Sequence, residues 1–223
     1  MASDRNETST RLVLVRHGES NVTVDRVIGG ARTCSGLSEL GRRQTEQLRD
    51  RLARTNEIGA DLLVSSHFAR AIETAEIIAE PVGHDSFPRL DGFGEHDPGP
   101  EIDGMTFDEY VDRFGRPDWD GDPHTEIFPG GETVFSFHTR VRDALDALLA
   151  ERPGETIVIA CHGGVVDAVF RHLLDLPMTG GFELHTLNTS LTEFVWTGGD
   201  AWRVARYNDA AHLEGLPAAT LRP

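Results

Sequence analysis

The 223-residue sequence contains no lysine, so arginine provides all 21 of its permanently basic side chains. They are outnumbered by 37 acidic side chains, which gives a formal net charge of −16 at pH 7. A chain with this excess of acid is not expected to bind nucleic acid or an anionic membrane surface through bulk electrostatics. The composition therefore excludes the two partner classes that need a basic surface.

Cysteine is scarce as well, because Cys34 and Cys161 are the only two. Two cysteines are too few for a disulfide framework and lack metal-ligand spacing, so we expect a reducing compartment. No apolar run is long enough to span a bilayer, and the first ten residues lack the apolar core of a signal peptide. The histidines other than His17 and His162 form no close-spaced ligand pair with a third partner. We predict a cytoplasmic protein without a metal or other cofactor.

The most informative motif is Arg-His-Gly-Glu at residues 16–19, which directly follows the apolar run Leu-Val-Leu-Val at 12–15, typical of a buried strand. An imidazole can carry a phosphoryl group, an arginine fork matches phosphate oxygens, and glycine lets backbone N–H groups approach an anion. The motif favours phosphate chemistry with His17 as the nucleophile, and the alternative is a packed histidine without chemistry. A backbone carbonyl near Gly18 or the side chain of Ser66 can fix its tautomer.

A second histidine follows a strand in the same way. The apolar residues 156–161 run directly into His162 and Gly163. Ligands of an open parallel sheet bind beyond the carboxyl ends of its strands, so the two junctions can place His17 and His162 on one pocket floor. The helix predicted over 165–174 begins right after this histidine, and its unpaired N–H groups can face the same anion.

These motifs resemble the histidine phosphatase superfamily, the phosphoglycerate mutase-like group. Its members share an Arg-His-Gly start, a phosphohistidine intermediate and a second His-Gly late in the chain. The resemblance covers about residues 11–206 and includes further segments in the family's order. These are Leu-Ser-Glu-Leu-Gly at 37–41, Ser-Ser-His-Phe-Ala-Arg-Ala at 65–71, Glu95 with Gly-Met-Thr at 104–106, Pro-Gly-Gly-Glu-Thr at 129–133 and Asn-Thr-Ser at 188–190.

The resemblance implies roles for individual side chains in binding a phosphoryl group. Arg16, Arg70 and His162 are assigned to the phosphate oxygens, where they offset the charge of the transferring group. His17 and these three form the predicted catalytic set together with Glu95. The predicted additional substrate contacts are Ser20, Asn21, Thr23 and Gly163, of which Thr23 replaces an asparagine that many relatives carry.

The resemblance also indicates the proton donor. Glu95 is assigned to protonate the leaving oxygen and later to take a proton from water. Asp91 lies close in sequence and is the alternative. Glu95 is preferred because its four-residue step to Gly99 and the later Gly-Met-Thr at 104–106 fit the family pattern, with one extra residue between Gly99 and Gly104.

Alternation of strands and helices predicts an α/β fold, a three-layer α/β/α arrangement with a mostly parallel sheet and helices on both faces. We expect one domain over residues 1–223, with a core at about 11–206 and a loose end after Asn208. Helices are predicted over 37–55, 69–80, 107–114, 132–151 and 165–174, with Pro81 ending the second and Phe135 facing inward on the fourth. A closing hairpin is predicted at 191–196 and 202–207. A homodimer is expected from the family alone.

Residues 91–130 are rich in Asp, Gly and Pro, so we predict an excursion over the mouth of the site, a lid. Its apolar side chains can line a pocket for a hydrophobic alcohol or simply anchor the lid. They are Phe93, Met105, Phe107, Tyr110, Phe114, Trp119 and Phe128.

The excursion also separates the phosphatase branch from the mutase branch. Mutases usually follow the acid with Arg-His-Tyr-Gly and carry a basic cluster, whereas here His-Asp-Pro follows Glu95 and the excursion's bases are Arg113 and Arg116. We therefore predict a metal-independent phosphomonoesterase that acts on a small phosphorylated substrate through phosphohistidine on His17. The alternatives are a phosphoglycerate mutase-type transferase and a non-catalytic interaction domain.

Overall fold

A five-stranded sheet lies at the centre of the computed structural model, which describes residues 9–196, 198 and 201–217. Its strands are β1 (Thr10–Arg16), β2 (Leu62–Ser65), β3 (Thr156–Cys161), β4 (Leu191–Trp196) and β5 (Arg203–Asp209). They lie in the order β2-β3-β1-β4-β5. The pairs β2–β3 and β3–β1 are parallel, and the pairs β1–β4 and β4–β5 are antiparallel. The predicted α/β class is confirmed. The sheet contains both parallel and antiparallel pairs.

Helices cover both faces of this sheet. The α-helices of the described residues are α1 (Asn21–Val24), α2 (Glu39–Thr55), α3 (Ala69–Val82), α4 (Phe107–Phe114), α5 (Val134–Glu151) and α6 (Gly163–Leu173). Of these, α2, α3, α5 and α6 pack on the sheet. Leu12 and Leu14 of β1 pack in one core with α5 and α6, while Val13 and Val15 pack in another with α2 and α3. Burial on both faces explains why β1 and β3 are continuously apolar rather than alternating. None of the described helices combines the length and apolar character that a membrane span requires.

The start of α2 holds the loop that follows β1. The N-cap residue Ser38 accepts a hydrogen bond from the Gly41 N–H at 3.0 Å and donates to Glu19 Oε1 at 2.8 Å. Gln44 accepts from the Glu19 N–H at 2.9 Å. A helix cap therefore also fixes the last residue of the Arg-His-Gly-Glu motif.

Two local predictions about helices were wrong. Helix α3 continues through Pro81 to Val82 and ends at Gly83, whose φ of 94° is left-handed. A proline in the last turn removes one helical hydrogen bond, yet the helix continues one residue further to the buried Val82. Phe135 is exposed rather than inward because it lies outside the apolar face of α5. Phe137 lies on that face and packs in the core.

The C-terminal part is more ordered than predicted. β5 begins at Arg203 and reaches Asp209, and a 3₁₀ turn at Ala211–Leu213 follows, so the chain after Asn208 is not loose within the described residues. The predicted hairpin pairing of 191–196 with the following strand is observed. Residues 199 and 200 of its predicted turn lie outside the described residues.

The excursion at 91–130 contains a 3₁₀ turn at Asp91–Phe93 and helix α4, and it has a small apolar cluster of its own. It is attached to the segment after β1 through backbone pairing of Val27 with Thr106. The buried carboxylate of Asp103 adds a hydrogen bond from the Gly30 N–H at 2.8 Å. The excursion therefore contacts the strand-end loop that carries the first histidine motif.

Close glycine packing generates a stability prediction. A Cβ at Gly41 would collide with the backbone of Glu19, whereas a Cβ at Gly59 would meet nothing within 4 Å. We expect Gly41→Ala to lower the free energy of unfolding by about 1–3 kcal/mol through overpacking. Gly59→Ala should instead be neutral or stabilise by up to about 1 kcal/mol. Urea unfolding measures both, and equal shifts would contradict the packing described here.

Candidate active site

The two histidines meet at one edge of the sheet. β1 and β3 are parallel neighbours with Arg16 opposite Cys161, so His17 and His162 leave the sheet side by side. Their ring centroids lie 5.0 Å apart with an interplanar angle of 63°, and both rings are buried. The N–H of His17 also donates to the Cys161 carbonyl at 2.9 Å. The structure thus brings together the two strand-end imidazoles that the sequence placed on one pocket floor.

The His17 ring has a defined tautomer. Its Nδ1 lies 2.6 Å from the Gly18 carbonyl oxygen, which only accepts, so the proton is on Nδ1. The lone pair of a neutral ring is then on Nε2, which lies 3.1 Å from Nε of Arg70. Of the two partners left open by the sequence, the backbone carbonyl of Gly18 is the one that orients this ring.

Arg70 contacts both imidazoles from the first turn of α3. Its Nε–H lies 3.1 Å from His17 Nε2 and 3.3 Å from His162 Nδ1. The guanidinium carbon is 4.6 Å from the Phe68 ring centroid, a cation–π contact, and the side chain is buried. Packing therefore presents a permanent positive charge at the point where the rings converge.

Ser66 orients the second imidazole. Its Oγ lies 2.7 Å from His162 Nε2 and accepts from the Phe68 N–H at 3.1 Å. Because Nδ1 of His162 faces the Arg70 N–H, the neutral ring carries its proton on Nε2 and donates it to Ser66. A second proton on Nδ1 would convert this ring into a donor toward a bound anion.

Arg16 and the start of α6 form another side of the site. Arg16 donates through Nη1 to the Thr186 carbonyl. A Cβ at Gly163 would lie 3.7 Å from Arg16 Nε, an ordinary van der Waals contact, so the helix start lies directly beside the guanidinium. The Gly164 N–H is occupied by Glu95 Oε2 at 3.2 Å. The sequence predicts that unpaired N–H groups at the start of α6 face the anion, and the structure shows that one of them already donates to Glu95.

Glu95 and Asp91 differ sharply in their surroundings. Glu95 is 8% exposed, and its two carboxylate oxygens accept from the N–H groups of Gly164 and His96 at 3.2 and 3.1 Å. The Asp91 side chain is 89% exposed and lies 3.4 Å from His67. Only Glu95 of these two contacts the residues that follow His162.

The predicted additional contacts divide into two groups. Ser20 and Thr23 hydrogen-bond each other at 2.9 Å between their hydroxyl oxygens, and both line a cavity together with Arg70 and Gly163. Asn21 instead donates its amide to Ser35 at 3.2 Å and is not among the residues lining this cavity.

The cavity has a volume of about 790 Å³ and reaches under the excursion. Of the excursion side chains proposed as pocket lining, Phe107, Trp119 and Phe128 line it. Phe93 belongs to the main core, Tyr110 and Met105 pack in the excursion's own cluster, and Phe114 is exposed. The excursion therefore both anchors itself and contributes to the pocket.

A hydrogen-bond network that the sequence does not predict holds the backbone of the first motif. Asn188 donates through Nδ2 to the His17 carbonyl at 2.9 Å, and the Thr189 N–H donates to the Arg16 carbonyl at 2.9 Å. Thr189 has a φ of 57°, an unusual conformation for a β-branched residue. His212 Nε2 lies 2.8 Å from Thr189 Oγ1. The Asn-Thr-Ser motif signalled this region, whereas nothing in the sequence signalled His212.

Burial controls the charge of several groups around the site. It lowers the pKa of His212 to about 4 and that of His138 to about 4, so both rings are neutral near pH 7. Burial also raises the pKa of the Cys161 thiol, so Cys161 is not a reactive thiolate. In the part of the chain that the structure describes, no three His, Cys, Asp or Glu side chains are grouped as metal ligands.

Comparisons with known proteins place this geometry in a family. The histidine phosphatase superfamily (branch 1) matches residues 12–210. Phosphoglycerate mutase-like protein 4 of Arabidopsis thaliana is 30% identical over 208 residues, covering 91% of this chain and 86% of that protein. The uncharacterized phosphatase PhoE of Bacillus subtilis is 29% identical over 211 residues, covering 93% and 98%. A solved mycobacterial glucosyl-3-phosphoglycerate phosphatase has a TM-score of 0.74 at 27% identity and covers 90% of this chain and 99% of that one.

In this α/β protein, two strand-end imidazoles share one buried guanidinium. The chain belongs to the histidine phosphatase superfamily. Its relatives include phosphatases as well as mutase-like proteins.

The hydrogen bonds of Ser66 generate a prediction about anion binding. Ser66→Ala removes the buried hydroxyl that contacts His162. Leaving that ring nitrogen without its partner should weaken binding of inorganic phosphate about tenfold, as measured by titration calorimetry. The neighbouring Ser65 hydroxyl is buried and has no hydrogen-bond partner among the described residues, so Ser65→Ala is the matched control. Equal losses in both variants would show that Ser66 does not act through His162.

Proposed function

We propose that the protein hydrolyses phosphate monoesters through a phosphohistidine on His17. The observation that carries the proposal is the orientation of this ring, with Nδ1 on the Gly18 carbonyl and Nε2 3.1 Å from Nε of Arg70. A phosphoryl group bound by Arg70 would therefore lie next to the nucleophilic lone pair. The phosphatases among the relatives support hydrolysis over phosphoryl transfer to a second alcohol.

In the first step, His17 Nε2 forms a bond to phosphorus while the bond from phosphorus to the ester oxygen breaks. Arg16, Arg70 and a protonated His162 offset the charge on the non-bridging oxygens. Ser20, Thr23 and Gly163 add contacts around the same group. These side chains supply the positive charge and the nucleophile, so the proposed chemistry requires no metal.

In this mechanism Glu95 protonates the leaving ester oxygen and later accepts a proton from water. As the ester oxygen departs, it takes a proton from the Glu95 carboxyl, and the alcohol leaves. Water then attacks the phosphohistidine while its proton passes to the Glu95 carboxylate, which releases inorganic phosphate and restores the resting state. Support for this role comes from the burial of Glu95 and from its contact with Gly164 in the helix that follows His162.

The second candidate is a phosphoglycerate mutase-type transferase, which the names of three relatives favour. In a mutase the phosphoryl group on His17 returns to a second hydroxyl instead of passing to water. A third alternative is an interaction domain without catalysis. It is disfavoured because Arg16, His17 and His162 are all present and converge in the structure.

The nucleophile assignment is tested with wild type and His17→Ala in EDTA on an aryl phosphate. We expect the variant to lose at least about a thousandfold in kcat. We also expect wild type alone to yield acid-labile, protein-bound phosphate after acid quenching. His172→Gln, at a histidine that pairs with Asp146 on the surface, is the control and should keep wild-type activity.

Other results of that experiment contradict the proposal in defined ways. Protein-bound phosphate formed only from a bisphosphorylated glycerate, without release to water, would establish the mutase. Absence of bound phosphate from every donor, with no turnover, would support the interaction domain.

The acid is tested by comparing Glu95→Gln with Asp91→Asn. Glu95→Gln should lower kcat/KM for an alkyl phosphate by at least about a hundredfold, because an alkoxide cannot leave without a proton. Its effect on kcat/KM for 4-nitrophenyl phosphate should be smaller, because nitrophenolate leaves unprotonated. Asp91→Asn should change neither rate. A loss with Asp91→Asn that depends on the leaving group would reassign the acid.

A further inference from the structure

The cavity described above extends well beyond the phosphate site. It continues from Arg70, Glu95 and Gly163 to the excursion and to residues 178–184, and its volume is about 790 Å³. Pockets that hold drug-sized ligands have volumes of about 300–1,000 Å³. Most of the space is therefore available to the group that carries the phosphate.

Two aromatic side chains on the cavity lining are still reached by water. Trp119 is 46% exposed and Phe182 is 39% exposed, and each comes from a different segment. The Trp119 ring packs edge-on against His96 and Phe128, at centroid distances of 5.0 and 5.9 Å. The Phe182 ring centroid is 4.4 Å from the guanidinium carbon of Arg171. These contacts hold two apolar faces in place for a ligand to cover.

The segment that carries Phe182 is fixed by one buried side chain. Arg171 pairs with Asp167 at 2.7 Å and donates to three backbone carbonyls within residues 177–182. The Gly180 N–H also donates to Asp120 Oδ1 at 3.3 Å, which connects this segment to the excursion beside Trp119. The aromatic lining is thus formed before a ligand binds, which lowers the entropic cost of binding.

The charges on the lining disfavour a second anionic group. Among the described lining residues outside the phosphate site, the guanidinium groups are those of Arg26 and Arg171. Arg171 is engaged by Asp167, and Arg26 donates to Asp108 at 3.2 Å. The carboxylates that line the same cavity outside the phosphate site are those of Asp120, Asp167 and Glu183. Because Asp167 is paired with Arg171, the acids that would repel a substrate carboxylate are Asp120 and Glu183.

We propose that the substrate is a phosphate monoester of a bulky, ring-containing alcohol that carries no negative charge of its own. This inference rests on the proposed hydrolysis at His17. The ring lies against Trp119 and Phe182 and excludes water from them, while Arg70 holds the phosphate. Small carboxylated esters such as phosphoglycerates are then poor substrates.

The substrate class is tested with 1-naphthyl, phenyl and 4-carboxyphenyl phosphate, whose leaving groups have similar acidity. We expect kcat/KM for the naphthyl ester to exceed that for the phenyl ester about fivefold or more, because its second ring buries more apolar surface. The carboxyphenyl ester should have the lowest value of the three. A carboxyphenyl value equal to or above the phenyl value would overturn the charge argument.

Variants test whether the ring of the substrate binds against Trp119 and Phe182. Trp119→Ala and Phe182→Ala should each raise KM for 1-naphthyl phosphate about 2- to 10-fold, the range expected for losing one aromatic contact. KM for glycerol 1-phosphate should not change, because its alcohol has no ring. Phe135→Ala is the control, since Phe135 is similarly exposed but lies outside the cavity lining. Equal changes for both esters would overturn the assignment of the ring to these side chains.

A binding measurement separates this inference from the proposed hydrolysis. Calorimetry should show that 1-naphthylmethylphosphonate, which cannot be hydrolysed, binds wild type more tightly than methylphosphonate, and that Trp119→Ala removes the difference. That result without turnover of any ester would refute the hydrolysis and support the binding site. Turnover that depends on His17 without a preference between the phosphonates would refute the substrate class alone.

Discussion

Parallel pairing of β1 with β3 is the constraint on which the site depends. With Arg16 opposite Cys161, two strands from opposite halves of the chain end at the same level, and each releases a histidine there. The N–H of His17 continues the ladder one step beyond β1 by donating to Cys161. A slip of one residue would turn one histidine to the other face of the sheet, so register and chemistry are set together.

The loop after β1 is held from two sides. Ser38 and Gln44 of the α2 start bind Glu19, while Asn188 and Thr189 bind the backbone of the Arg-His pair. The positive φ of Thr189 is strained for a β-branched residue, so it persists only where several contacts hold the residue in place. One of these contacts joins the Thr189 hydroxyl to His212. This support keeps His17 in place without help from a ligand, which is what the proposed attack on phosphorus requires.

Much of the fold and the centre of the site followed from local sequence signals. Apolar runs that end in His-Gly predict strand ends at a common edge, and both histidines lie there. Contacts between distant segments had no such signal. The sequence offers Ser66 as a partner for His17, but β2 lies beside β3 and Ser66 therefore contacts His162 instead. His212 is remote in sequence, and the excursion lacks the periodicity that would separate the cavity-facing Trp119 from the packed Tyr110.

The position of the Arg70 N–H between the two imidazoles couples ligand binding to protons. In the resting site, one N–H lies within hydrogen-bond distance of His17 Nε2 and His162 Nδ1, both of which accept. The oxygen atoms of a phosphate dianion only accept, so in the proposed role His162 binds the dianion as a donor, with a second proton on Nδ1. Under that proposal the occupied site differs from the empty one by one proton as well as by its ligand.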